Sequence, residues 1–160
     1  MIERLLRAPL RRVKTFHVRM AFSEDATQVG RLRAGKLPHL LGTIVRIAWS
    51  RVRHRPTVLY YPPAGPNRVP MYRDLVVLIA TRWMFRATVF HFHAGGLSDL
   101  YASLSRPERL LFRFAYFRPD AAILLSDRNP PDAQLLRADR IAVMDRGRIV
   151  ECAWHATLWR

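Results

Sequence analysis

Three short apolar runs constrain this chain more than any other feature. Thr57–Tyr61 reads TVLYY, Ala87–His93 reads ATVFHFH and Ala121–Leu125 reads AAILL. Each is dominated by aliphatic or aromatic residues and ends in a loop of turn-forming or polar residues. Helix-patterned stretches, Tyr72–Trp83 and Pro107–Phe117, lie between them. Strands that are apolar along their whole length are covered on both faces, and strands alternating with helices become parallel neighbours through crossovers. The expectation is an α/β chain, a parallel sheet flanked by helices.

The flanks are less regular. Ile2–Ala8 has a helical pattern that should stop near Arg7, because Pro9 disfavours helical geometry before it. Val13–Met20 (VKTFHVRM) alternates in the manner of a strand, and Ser23–Lys36 reads as loop. From Pro38 to Arg53, Leu41, Ile44, Val45, Ala48 and Val52 follow helical spacing, with Arg46, Trp49 and Arg53 on another side. Asp127–Asp132 reads as loop and Ala133–Arg137 as a helical turn. Arg140–Met144 and Arg148–Glu151 read as two strands joined by Asp145-Arg146-Gly147, a hairpin signal.

Charge narrows the partners only partly. Of 160 residues, 27 are basic and 12 acidic, a net charge of +15, and all but Lys14 and Lys36 of the basic residues are arginine. The first 56 residues alone carry +10. No zinc finger, RNP motif or basic zipper accompanies this excess, so no specific nucleic acid is expected. An anionic membrane surface or another polyanion remains open as a partner, met by the helix around Trp49; the alternative is a sheet-covering helix with its arginines in water. A single cysteine, Cys152, excludes an internal disulfide, and no histidine spacing suggests a metal. With no secretory signal and no apolar run of spanning length, a cytoplasmic location is expected, peripheral on the inner face of the plasma membrane under the lipid reading.

The segment TVFHFHAGGLSD, Thr88–Asp99, carries the chemistry. His91 and His93 alternate along one strand and so share a face. Gly95 and Gly96 follow at the strand's carboxyl end, the edge where open α/β sheets bind ligands. His93, nearest that mouth, is the candidate catalytic base, because histidine exchanges protons near neutral pH. A packed histidine pair beside a glycine turn is the plainer alternative. Asn67 and Arg68, in the proline-rich loop after Tyr61, and Ser126, after the third run, are candidate substrate-binding residues; a rigid connector and a local cap are the alternatives. Asp74 and Asp99 orient a substrate hydroxyl or cap a helix, with capping favoured for Asp99. Phe112, Phe114, Tyr116 and Phe117 read as core.

The order VLYYPPAGPNRVPMYRDLVVLIA, TVFHFHAGGLSD, PDAAILLS, over residues 4–137, resembles the amino-terminal domain of bacterial family 4 glycosyltransferases. That resemblance implies an incomplete Rossmann-like sheet, the amino-terminal half of a GT-B fold. It implies sugar transfer from a nucleotide-sugar donor to a sugar or lipid-linked acceptor. His93 matches the family's active-site histidine, and Gly95 and Gly96 its acceptor-side loop. Family members begin with a further strand and glycine-rich loop and carry a donor-binding second domain, neither of which has a counterpart here.

Residues 138–155 (ADRIAVMDRGRIVECAWH) resemble instead the end of an ABC-transporter ATPase domain. No phosphate-binding GxxxxGK[ST] loop accompanies them, which disfavours an ATP-binding remnant. Two segments are therefore expected: 1–137, acceptor-side and lacking its first strand, and 138–160, a C-terminal tail. Together they read as a truncated or chimeric transferase, inactive alone. A sheet without its central strand exposes edges or forces Val13–Met20 against Thr57–Tyr61. The isolated chain should therefore unfold at a low midpoint or aggregate on heating; a cooperative transition at high temperature overturns this.

Overall fold

A computed structural model describes residues 14–19, 37–124, 130–145 and 148–154. Helix α1 spans Leu37–His54 and precedes strand β1, Val58–Tyr61. Helix α2, Arg68–Thr81, runs through a 3-10 turn at Arg82–Met84 into β2, Ala87–His91. Helices α3 (Leu97–Ser103) and α4 (Arg106–Tyr116) lead to β3, Ala121–Leu124. Helix α5, Pro130–Leu136, precedes β4, Arg140–Asp145, and β5, Arg148–Trp154.

The five strands form one sheet in the order β1-β2-β3-β4-β5. The first four are parallel, and β5 runs antiparallel to β4, with a register shift between Val143 and Met144. The sheet thus continues across the expected segment boundary at residue 137.

Sequential order has a consequence for the layers. A right-handed crossover at each step, the hand such connections take, carries α2 to α5 over the same sheet face. Burial alternates accordingly. Leu59, Tyr61, Thr88, Phe90, Ala122 and Leu124 are buried beneath the helices. On the opposite face Tyr60, Val89, Ala121 and Ile123 are only half-buried, and Val58 is exposed. Coverage of both faces, expected from the apolar strands, is therefore not reached among the described residues. The core is centred on Phe90, Phe92, Phe112 and Tyr116, with the Phe112 and Tyr116 rings stacked 4.4 Å apart.

Several boundaries differ from expectation for local reasons. Helix α2 begins four residues before Tyr72, with Pro70 in its first turn, where backbone N–H groups have no intrahelical acceptor. Pro130 and Pro131 likewise open α5, where a loop was expected. Helix α4 starts at a capping box, with the Ser105 and Glu108 side chains each accepting from the other's backbone N–H. Lys14–Arg19 is not a strand, and β1 pairs with β2 alone among the described residues. Val18 of that segment packs on the core and Phe16 stacks on His54 with centroids 4.2 Å apart. The expected helix at 2–8 and loop at 23–36 lie outside the described residues.

The aromatics of α4 divide. Phe112 and Tyr116 are fully buried and Phe117 half-buried, but Phe114 is 71% exposed, on the outward side of the helix. Phe112→Ala should cost about 3–5 kcal/mol in urea unfolding, and Phe114→Ala about 0.5 kcal/mol or less.

Candidate functional site

Parallel strands bring all their carboxyl ends to one edge, and the loops after β1 and β2 meet there. A Cβ placed on Gly96 would lie 3.2 Å from Pro66, and one on Gly65 would lie 3.8 Å from Ala94. Gly96 has φ of +101°, a conformation that favours glycine, and it is the N-cap of α3.

Each loop is held by one buried carboxylate. Asp74 of α2, with no exposed surface, accepts from the Tyr61 hydroxyl at 2.7 Å and the Ala64 backbone N–H at 2.7 Å. It also accepts from the Tyr116 hydroxyl at 3.2 Å and pairs with the Arg73 guanidinium at 2.7 Å. Asp132 of α5, 1% exposed, accepts from the backbone N–H of Gly96 at 2.9 Å and of Ser98 at 2.8 Å. The N–H groups that begin α3, of the kind that bind phosphate at a helix N-terminus, thus bind a carboxylate of the same chain. Asp74 was expected to cap a helix or meet a substrate hydroxyl; it clamps a strand end to two helices instead. Asp99 lies exposed in the first turn of α3, which has no side-chain cap bond.

His91 and His93 share the half-covered sheet face, with ring centroids 4.4 Å apart and planes tilted by 36°. Their surroundings differ. His91 is 3% exposed, and its Nδ1 shares a hydrogen bond with the Tyr60 hydroxyl. Its Nε2 has no partner among the described residues. Burial, and secondarily the charge of His93, lowers the His91 pKa from 6.5 to about 4, so its ring is neutral at physiological pH. Burial raises the Tyr60 pKa, which keeps the phenol protonated. His93 lies beyond the end of β2, in the turn, with its side chain exposed. It rests on a neutral imidazole and is followed by the Gly95-Gly96 turn.

The other candidates separate. Gly95 and Gly96 stand beside His93. Asn67 is the exposed N-cap of α2, and its side chain makes no capping bond. Arg68 is committed to other elements: it donates to the Ser103 carbonyl at 2.8 Å and meets the Glu108 carboxylate at 3.3 Å. Hydrogen bonds from Tyr72 and Ser105 hold that carboxylate down to about 2. Ser126 lies outside the described residues.

No family model, curated protein or solved structure matches the chain. Among the described residues, no group of three or more His, Cys, Asp or Glu is placed to hold a metal ion. The site therefore stands on its own geometry: an exposed imidazole over a buried neutral one, beside a glycine turn at the carboxyl edge.

Sequence reasoning paired the two histidines but missed Tyr60 and Asp132. Tyr60 enters through strand register, since it pairs with Val89 two residues before His91. Asp132 follows two prolines at a helix start, the one sequence signal for it.

The His91 environment makes stability depend on pH. The unfolded chain takes up a proton near pH 6.5, whereas the folded form resists it down to about 4. Stability is therefore full above pH 6.5 and falls as the pH drops toward 4. The urea midpoint should decrease between about pH 7 and about pH 5, and decrease less in His91→Gln. Equal decreases in both proteins overturn the assignment.

Proposed function

We propose that the chain is the acceptor-side half of a sugar-transferring enzyme, with His93 as its base. The observation that carries this reading is the exposed His93 imidazole at the carboxyl end of β2, beside the Gly95-Gly96 turn. The order of segments that resembles family 4 glycosyltransferases supports it, as does the parallel sheet flanked by helices.

In the proposed reaction, the acceptor hydroxyl lies against the exposed His93 imidazole, on the solvent side of the packed Gly95-Gly96 turn and Pro62–Asn67 loop. His93 removes its proton as the oxygen bonds to the anomeric carbon, and the nucleoside diphosphate leaves with the electron pair of the bond that breaks. The Tyr60–His91 pair positions His93 by giving its ring a fixed, uncharged support. Asn67 contacts the acceptor from the opposite loop, whereas Arg68 serves the scaffold. Donor binding falls to a second half, since Asp132 already occupies the N–H groups that begin α3. The antiparallel β4–β5 pair agrees with the ABC-like tail, which contributes strands and no nucleotide chemistry.

Incubation of the full chain with nucleotide sugars should give no transfer, and turnover by this chain alone would sink the assignment of donor binding elsewhere. In an NMR titration with sugar and lipid-linked acceptors, the His93 ring resonances should move, and nucleotides alone should leave them in place. The acceptor-induced changes at neighbouring loop residues should weaken at least roughly tenfold in His93→Ala. Ring signals that no acceptor moves reject the reading.

A further inference from the structure

The outward face of the helix layer is apolar where a layer facing water should be polar. On α1, Leu41, Val45, Trp49 and Val52 recur at helical spacing and are 55–69% exposed. They form a second stripe, offset by one position from Leu40, Ile44 and Ile47, which pack inward. Val76 and Trp83 stand outward along α2 and the turn after it, with Trp83 76% exposed. Leu110, Leu111 and Phe114 do the same on α4.

These stripes join. Helix α2 packs against both α1 and α4. Trp83 lines one shallow cleft with Val52, Arg51 and Arg55, and a second, of about 300 Å³, with Phe114, Arg82 and Arg86. One indole thus bridges the α1 and α4 stripes. The charge around the clefts is positive, with Asp120 the one acidic residue lining either. Helix α1 contains no acidic residue in its 18 positions. Arg51 and Arg82 donate to backbone carbonyls, whereas Arg53, Arg55 and Arg86 are exposed.

We propose that this three-helix face docks on an anionic lipid bilayer. Aliphatic side chains and tryptophans on one plane, bordered by arginines, match the apolar boundary and negative headgroups of such a surface. Nucleic acid is a poorer match, because Leu and Val have no bases to stack on and six of the nine outward residues are aliphatic. A second copy is also a poorer match, because joining two such faces brings arginines against arginines. No described helix is long and apolar enough to cross a membrane, so the contact is interfacial. It is independent of sugar transfer, and either proposal can fail without the other.

The test is flotation of the full chain with phosphatidylcholine vesicles and with vesicles that also contain phosphatidylglycerol. Binding should be at least roughly tenfold tighter to the anionic vesicles and should weaken at least tenfold at high salt. The double variant Trp49→Ser/Trp83→Ser, both sites being exposed, should keep the native urea midpoint and bind at least roughly tenfold more weakly. Brominated lipids should quench the native emission more than that of the variant. Absence of binding, equal binding to both vesicle types or equal binding of the variant overturns the proposal. So does a stable dimer in solution that shields both tryptophans.

Discussion

The buried carboxylate of Asp74 is the interaction on which the arrangement of this molecule depends. It sits in α2 yet ties together the end of β1, the loop that follows and the end of α4. A charge without water is costly unless hydrogen bonds and a counter-charge replace its hydration, and here two phenols, a backbone N–H and a guanidinium do so. The satisfaction is mutual. Tyr61 and Tyr116 are deeply buried, and burial together with the Asp74 charge raises both of their pKa values well above the usual phenol value, so both remain donors. Their hydroxyls would otherwise be orphaned inside the core. The cluster also ties α4 to the end of β1, because both hydroxyls donate to the same carboxylate.

Asp132 repeats the device at the second loop. Its two oxygens bind two N–H groups at the start of α3, so the helix is capped from α5, a distant element. The cost is chemical. Amides engaged by an internal carboxylate are lost to a bound phosphate, and the positive end of the helix is already neutralised. The benefit is geometric, because the glycine turn beside His93 is fixed from α5 and from Pro66. Both carboxylates thus serve rigidity at the carboxyl edge.

Much of this was legible in the sequence, in ways that follow the range of each force. The three apolar runs became β1, β2 and β3 because continuous apolar strands suit a sheet interior. The shared face of His91 and His93 followed from the two-residue period. Their unequal burial did not, since it depends on Tyr60 arriving from another strand. On α1 the periodicity was real but the face was misread. Leu41, Val45 and Val52 recur as regularly as Leu40, Ile44 and Ile47, and helical spacing alone does not choose the inner stripe. Arg68 looked like a substrate contact because its partners, Ser103 and Glu108, lie 35 and 40 residues away. Ionic and hydrogen-bond partners at such separations leave no local trace.

The two exposed faces of the molecule carry different chemistry and lie on opposite sides of it. The helix layer separates the outward apolar stripes from the sheet, and His91 and His93 lie on the sheet's far face. A chain docked through Trp49 and Trp83 therefore holds His93 at least one helix diameter, about 10 Å, away from the bilayer surface. At that height the His93 imidazole reaches a polar headgroup or a sugar extended into water, and not an alkyl chain within the membrane. The half-covered sheet face, with Val58 at its edge, then turns toward solvent.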